Sequence, residues 1–402
     1  MAVHSGTALV LTLLVVGYAI VSGLVKKWYL APALIFVLLG MALGPFGFDL
    51  LEAGAGTEGY TVLAQLALTV ILFDQAAKLD LGRVLRRGLI TFRLLIIGIP
   101  LSLILGALTA AVVLPVLPWW EAVCLAVIVA PAEVALIDAL TEDRRIPEQV
   151  RRALSVESGL YDGFALAALL AALALASAKT DPQPGHWGWF IVRTEVLSLI
   201  IGMVAGLLGG AAIAWSYRRG WMSDIWAQLA TLAIALSCFE IGERLQASGF
   251  VAAFTGGLAF ALVAKRSNAQ VPTQVSDATA RLLELLVFAM FGAFAAIDGW
   301  RHASWRVVLF AVLALSVVRI VSVLIALTGS DLPAYSRGFI AWFAPRGIGT
   351  VVLGLLVIER GEIEHVDLIS QVVVVTVTLS LLLHSITAPL GIRGYRSAAA
   401  MR

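Results

Sequence analysis

The feature that most constrains this chain is a series of long apolar segments that follow one another along its length. A helix of roughly 20 apolar residues crosses the hydrocarbon core of a bilayer, where backbone groups must bond to each other because water is absent. The sequence therefore predicts an all-α polytopic membrane protein of about thirteen transmembrane helices. The predicted runs lie near residues 7–25, 29–46, 60–77, 88–117, 119–140, 150–178, 189–215, 223–240, 247–264, 280–299, 305–327, 336–358 and 367–390.

The lysines and arginines predict how these helices are oriented. Cytoplasmic loops retain positive charge, and most of the 28 Lys and Arg fall in loops on one side if the N-terminus is outside. The acidic segments 49–58 and 359–367 then also lie outside. We therefore expect an outside N-terminus, a cytoplasmic C-terminus, and a single transmembrane domain over residues 1–402 without a soluble regulatory domain.

The composition excludes several classes of function. Charged residues make up 13% of the chain and hydrophobic residues 60%, which is too apolar for a soluble binding module, and a net charge of +2 argues against a nucleic-acid partner. No GxxxxGK[ST] motif occurs, so we expect no ATP as a partner. Cys124 and Cys238 lie inside apolar runs, and the histidines are scattered. No cofactor and no resident metal site is predicted.

Ionisable residues inside the apolar runs are the candidate functional residues. Such side chains are costly at mid-bilayer and usually mark ion paths, proton relays or their partners. The sixth run, RRALSVESGLYDGFALAALL, places Glu157 and Asp162 in one helix. At 100° per residue these two acids face neighbouring sectors, while Ser158 lies one turn before Asp162 on the same face. One acid can therefore be structural and the other functional.

Two further runs combine a charge with a helix-breaking residue. In the fifth run, LAVIVAPAEVALIDAL, Pro131 removes a backbone hydrogen bond and Glu133 follows two residues later. In the twelfth run, FAPRGIGTVVLGLLV, Pro345 and two glycines surround Arg346. Both breaks fall in the fifth helix of a six-helix set, counting runs 1–6 and 8–13. Paired broken helices are typical of the substrate site in transporters built from inverted repeats.

Each of these charges also has a structural interpretation. Glu157 and Arg346 are predicted to form a buried ion pair, because each lowers the desolvation cost of the other. Asp162 has no evident partner in the sequence and is predicted to be functional, whereas Glu133 is left open between the two interpretations. Three acids near helix ends are predicted to be structural, namely Asp138, Glu240 and Glu284. Asp74 is left undecided between a structural and a functional role.

Several segments resemble the monovalent cation:proton antiporter family, in particular its bacterial sodium/proton antiporters of the NhaP type. The strongest likeness is APAEVALIDALTEDRRIPEQVRRALSVESGLYDG, where many members have APTDAAL, a basic turn with VP or IP, and VESGLNDG. It extends to LFDQAAKLDLGRVLRR, SGFVAAFTGGLAFA, ELLVFAMFGAF and FAPRGIGTVVLGLLV. The resemblance thus spans most of the chain.

This resemblance implies a fold and a set of roles. The fold would have a core domain with two crossing broken helices, runs 5 and 12, beside a dimerisation domain, in a homodimer in a bacterial inner membrane. Asp162 matches the aspartate that binds a proton or a cation in turn, and Ser158 matches a residue that offers a ligand oxygen. Glu157 and Arg346 match an ion pair of the family. The transported cation at Asp162 would be the only metal.

The chain departs from the family pattern next to the expected site. Tyr161 stands where many members have Asn, and Ala132 and Glu133 stand where many have Thr and Asp. The second change removes a hydroxyl ligand and lengthens the acid by one methylene group. These departures leave open which cation is carried, Na⁺, K⁺ or Li⁺, and whether the activity is altered.

The expected activity is exchange of a monovalent cation for H⁺ by alternating access. Proton and cation would compete for Asp162, and with Tyr161 rather than a second acid beside it we expect electroneutral, one-for-one exchange. If Glu133 also titrates, the exchange becomes electrogenic. The alternative is a channel or sensor that keeps the antiporter fold without coupled exchange. An intramembrane enzyme is not favoured, because no nucleophile, metal set or catalytic dyad lies at membrane depth.

Overall fold

A computed structural model of the chain describes residues 4–28, 30–51, 56–78, 89–130, 133, 143–177, 184–266, 274–360 and 363–400. Within these ranges the regular structure is entirely helical. We number the helices in chain order. They are α1 (His4–Lys27), α2 (Pro32–Leu43), α3 (Gly56–Lys78), α4 (Leu89–Val113), α5 (Trp119–Val129), α6 (Glu148–Ser177), α7 (Pro184–Arg218), α8 (Asp224–Arg244), α9 (Gly249–Arg266), α10 (Val275–His302), α11 (Trp305–Ala326), α12 (Ala334–Trp342), α13 (Ile348–Arg360) and α14 (Val366–Ala400).

Most of these helices have the length and apolar composition of membrane spans. In the described part of the chain, 8 helices are long and apolar enough to cross a bilayer, and the shorter apolar helices of 10–17 residues include α2, α5 and α13. The prediction of an all-α polytopic membrane protein is confirmed. The count of thirteen crossings remains a prediction, because a helix of 17 residues or fewer is at or below the length that a full crossing requires.

Three of the long helices contain a π-helical turn, in which one residue more than usual is wound into the turn. These turns are Leu94–Gly98 in α4, Gly292–Ala296 in α10 and Ala314–Val318 in α11. At the turn in α10 a second helix approaches very closely. A Cβ atom at Gly40 of α2 would overlap the backbone of Ala289, and a Cβ at Gly292 would overlap the backbone of Val37. Only glycine permits this approach of α2 to α10.

The twelfth apolar run is interrupted as the sequence predicts. Helix α12 ends at Trp342, α13 begins at Ile348, and residues 343–347, which include Pro345 and Arg346, are not helical. The fifth run behaves similarly where it is described, since α5 ends at Val129 and Glu133 is not helical. Pro131, Ala132 and residues 134–142, including Asp138, lie outside the described residues.

The helices form two compact units. The first comprises Met1–Val62, Arg87–Tyr161 and Leu285–Arg402, and it contains both interruptions. The second comprises Leu63–Arg86 and Asp162–Glu284, with a core that includes Phe73, Cys238 and Phe260. Both free cysteines, Cys124 in the first unit and Cys238 in the second, are fully buried.

Candidate functional site

The two interruptions are bonded directly to each other. The backbone N–H of Glu133 donates to the carbonyl oxygen of Pro345 over 2.7 Å. The N–H of Ile348, at the start of α13, donates to Oε2 of Glu133 over 2.6 Å, and Glu133 is only 2% exposed. The first N–H groups of a helix have no intrahelical acceptor and attract negative charge. The Glu133 carboxylate therefore caps α13, and the backbone N–H of Glu133 bonds to Pro345 inside the other break.

Helix α14 supports the second interruption through three polar side chains on one face. Ser380 Oγ accepts a hydrogen bond from the backbone N–H of Arg346 over 2.7 Å. His384 Nε2 lies 2.9 Å from the carbonyl oxygen of Trp342, and Thr387 Oγ1 accepts from the indole N–H of Trp342 over 2.9 Å. Since backbone groups freed by a break must find other partners in a membrane, these side chains hold the break in place.

His384 is a site residue that the sequence analysis missed. It is 2% exposed, and its Nδ1 lies 2.7 Å from the Ser380 carbonyl oxygen and 3.2 Å from Ser380 Oγ. The tautomer protonated at Nδ1 donates within α14, to Ser380, and the tautomer protonated at Nε2 donates to Trp342 at the end of α12. A histidine inside the apolar run 367–390 is an ionisable residue at membrane depth, and that signal in the sequence could have identified it.

Glu157 forms its buried ion pair with Arg319. Two guanidinium nitrogens of Arg319 donate to the two carboxylate oxygens of Glu157 over 2.5 and 2.9 Å, and the two side chains are only 2–4% exposed. A bidentate pair of this kind is the strongest geometry for these groups. The sequence predicts Arg346 as the partner of Glu157, whereas in the structure both carboxylate oxygens of Glu157 bond to Arg319. Both arginines lie in apolar runs, and the sequence does not say which of their helices is adjacent to α6.

Arg346 has a different environment. It is 3% exposed, and its Nη1 donates to the carbonyl oxygen of Ala344 over 2.7 Å. Within the described residues, no carboxylate lies within ion-pair distance of Arg346. It does lie close enough to Arg319 and Glu157 to interact with their charges. The interrupted segment thus carries a buried cation next to an ion pair that is already complete.

Helix α6 carries the remaining candidate residues on one continuous stretch. Glu157, Ser158 and Tyr161 are buried, with Tyr161 only 1% exposed. Asp162 lies in the same helix, one turn after Ser158, but its side chain lies outside the described residues. The roles of Asp162 and Ser158 in ion binding therefore stay predictions.

The remaining ionisable residues of the apolar runs have separate environments. Asp74 is buried and pairs with Lys78 over 2.6 Å, and Lys78 also bonds to Asp277. Glu240 pairs with Arg244 one turn along α8, and both side chains are exposed. Glu284, which is predicted to be structural, is buried, with 7% of its surface exposed. Asp74 thus belongs to a three-residue ionic network in the second unit.

Comparison with known proteins identifies the family. A sequence profile described as "Sodium/hydrogen exchanger, transmembrane" matches residues 10–391. The chain belongs to the sodium/hydrogen exchanger family. Members of this family are transporters, not enzymes, so the predicted family and the prediction that the chain is not an enzyme are both confirmed.

Two curated relatives and one solved structure illustrate the relationship. The chain is 25% identical over 358 residues to a probable Na⁺/H⁺ antiporter of Schizosaccharomyces pombe, a match that covers 84% of this chain and 46% of the relative. It is 24% identical over 236 residues to a sodium, potassium, lithium and rubidium/H⁺ antiporter of Bacillus subtilis, which covers 56% of this chain and 34% of the relative. The chain thus spans less than half the length of these relatives.

The fold agrees with that of a solved antiporter. The sodium proton antiporter MjNhaP1 from Methanocaldococcus jannaschii superimposes with a TM-score of 0.76, covering 96% of this chain and 100% of that one, at 19% sequence identity. Such a likeness establishes the fold, and it confirms the predicted antiporter architecture.

Proposed function

We propose that this protein is a secondary transporter that exchanges a monovalent cation for H⁺ across a membrane. The observation that carries the proposal is the mutual bonding of two interrupted helices, with Glu133 and Arg346 buried in them, in a chain of the sodium/hydrogen exchanger family. Irregular backbone at membrane depth is tolerated where it is enclosed by protein or lines an ion path. Discontinuous helices of this kind supply ion sites in transporters.

Asp162 is the residue proposed to bind cation and proton alternately, with Ser158 as a ligand on the same helix face. Support comes from the continuous helix α6, which keeps the two residues one turn apart. The cation is proposed to be Na⁺, with K⁺ or Li⁺ as the alternatives, because relatives named for Na⁺ and for several alkali cations are all similar to this chain. Ala132, Glu133 and Tyr161 are proposed to adjust this selectivity.

Electroneutral exchange is proposed because Glu133 has a structural role. Its carboxylate accepts a hydrogen bond from the N-terminal N–H of α13, where the helix dipole stabilises negative charge. Because this carboxylate is bonded at the start of α13, Asp162 is proposed as the group that exchanges ions. One proton would then move for each monovalent cation, by alternating access.

The proposed setting is a cell membrane, with the N-terminus outside, the C-terminus cytoplasmic and the chain in a homodimer. The orientation rests on the distribution of Lys and Arg among the loops. Lys26 and Lys27 at the end of α1, and Arg218 at the end of α7, fit the cytoplasmic side in this arrangement. The dimer rests on the family resemblance.

The test is cation-induced proton movement in proteoliposomes, with Na⁺, K⁺ and Li⁺ titrated from pH 6 to 9. We expect at least one cation to dissipate a preset pH gradient in the wild-type protein, and Asp162→Asn to abolish this response. Electroneutrality predicts that the rate is unchanged when the membrane potential is clamped at different values. Cation flux that continues without a counter-movement of protons would support a channel in place of the exchanger.

A further inference from the structure

Three metal-ligating side chains meet at a place that the proposed function does not use. Glu121 lies in the first turn of α5, and Glu364 and His365 directly precede α14. Glu121 Oε2 lies 2.9 Å from His365 Nδ1, and Glu121 Oε1 accepts the backbone N–H of Glu364 over 3.0 Å. One ligand atom from each side chain lies within 4.8 Å of the other two. Residues more than 240 positions apart in sequence thus form one compact donor set.

Among the residues that the structure describes, no cation other than the His365 imidazole balances the charge of this cluster. Glu121 is only 5% exposed, so its carboxylate has already lost most of its hydration. Glu364 is exposed, and its carboxylate has no hydrogen bond or ion pair to any residue that the structure describes. Two carboxylates therefore face a single imidazole, which carries at most one positive charge. A divalent cation would neutralise both acids.

The donor types indicate which cation would fit. An imidazole nitrogen with two carboxylates is a ligand set typical of Zn²⁺, whereas Ca²⁺ and Mg²⁺ prefer oxygen ligands alone. With bonds of about 2.0–2.2 Å, two donors on one tetrahedral zinc ion lie about 3.3 Å apart. The distance of 2.9 Å between His365 Nδ1 and Glu121 Oε2 is close to that value. Glu364 is exposed and can rotate to supply the third ligand.

We propose that Glu121, Glu364 and His365 form a binding site for a divalent transition-metal ion of the zinc class. The bound ion would replace the hydrogen bond between Glu121 and His365 and would join the start of α5 to the start of α14. Helix α5 leads to Glu133, and α14 holds the other interruption through Ser380 and His384. None of its three residues belongs to the proposed exchange site, and its existence does not depend on exchange activity.

Titration of Zn²⁺ into the purified protein by isothermal titration calorimetry, after removal of any histidine tag, tests the proposal directly. We expect one Zn²⁺ per chain, and no binding of Ca²⁺ at concentrations that saturate with Zn²⁺. Glu364→Gln and His365→Gln should each lower the Zn²⁺ affinity at least about tenfold. The Glu364 side chain makes no bond to the described residues, so Glu364→Gln should leave the thermal unfolding midpoint unchanged.

His302→Gln is the matched control. His302 Nδ1 lies 3.4 Å from an Asp298 carboxylate oxygen, which gives an exposed histidine–carboxylate pair with no third ligand among the described residues. Its replacement should leave Zn²⁺ binding as in the wild type. If the wild type takes up no Zn²⁺, or if Glu364→Gln and His365→Gln bind it as tightly as the wild type, the cluster is only an ion pair. Either result would leave the exchange assay unaffected, and a silent exchange assay would not alter the calorimetry.

Discussion

The interrupted helices and the close contact between α7 and α9, which we call the seam, are stabilised by different kinds of interaction. At the interruptions, the backbone has left the helix and is held by directional bonds from Glu133, Ser380 and His384. In the seam, both helices are continuous and approach so closely that a Cβ atom at Gly202 or Gly206 would overlap the backbone of α9. The first region contains buried charges, and the second is built on small residues.

The difference follows from what a membrane protein can use for stability. Lipid is as apolar as the protein interior, so helices gain little from hydrophobic burial and associate through close packing or polar bonds. Close packing suffices where every backbone group is already bonded within a helix. Where a helix is broken, the freed groups need specific partners, and those partners then also fix the positions of nearby charges such as Arg346. We therefore expect substitutions at buried charges to have larger effects than substitutions in the packed seam.

The largest effect is expected at the buried ion pair. Arg319→Gln leaves the Glu157 carboxylate buried without its partner, and losing one member of a buried pair costs about 3–5 kcal/mol. We expect a strong decrease in the thermal unfolding midpoint in detergent, followed by tryptophan fluorescence. The double substitution Glu157→Gln with Arg319→Gln removes both charges and should recover a large part of the loss.

Arg346→Gln is the control for this assignment, because it leaves the bond between Glu157 and Arg319 intact. It should lower the unfolding midpoint less than Arg319→Gln does. The opposite order would restore Arg346 as the principal partner of Glu157, as the sequence alone suggests.

An intermediate effect is expected in the seam. Gly206→Ala places a methyl group against the backbone of Gly256, and overpacking of this kind costs about 1–3 kcal/mol. Gly23→Ala in α1 is the matched control, since a Cβ there meets nothing within 4 Å. The control should be neutral or stabilising by up to about 1 kcal/mol, because alanine favours helix. Equal unfolding midpoints for the two variants would mean that α7 and α9 are not in close contact.

The smallest effect is expected at the support of the interruption. Ser380→Ala removes the acceptor of the Arg346 N–H, and a lost hydrogen bond of this kind costs about 1 kcal/mol. Ser385 lies five residues later in the same helix and is equally buried, but its hydroxyl has no hydrogen-bond partner among the described residues. Ser385→Ala should therefore be neutral or slightly stabilising. Equal losses of stability at the two serines would show that the bond to Arg346 contributes nothing.

Much of the architecture could be predicted from local features of the sequence. Run length gives the helices, and proline or glycine next to a charge gives the break at residues 343–347, because both effects act within one helix turn. The pairing of Glu157 with Arg319 could not be predicted in this way. Helical periodicity identifies residues on one face of a helix, but it does not say which helix lies opposite.

Two sets of polar contacts could not be predicted from the sequence for a different reason. His384 stands alone in an apolar run, and its function in holding Trp342 depends on a break located some forty positions earlier. Glu121 and His365 are at the ends of different runs and carry no recognisable spacing. Such contacts are properties of the tertiary structure, and a single sequence without aligned relatives contains no record of them.

The π-helical turn in α11 shifts the helical phase of Arg319 relative to the first half of that helix. The turn ends at Val318, directly before Arg319, and it winds one residue more than an α-helical turn would. Each residue corresponds to about 100° of rotation, so every position from Arg319 onward is out of phase with the first half of the helix by about that angle. A helical wheel drawn through the whole run would therefore misplace Arg319. The extra residue in this turn thus sets the phase of Arg319 along the sequence, and its deletion would leave a regular α-helical turn with Arg319 still on the side that faces Glu157.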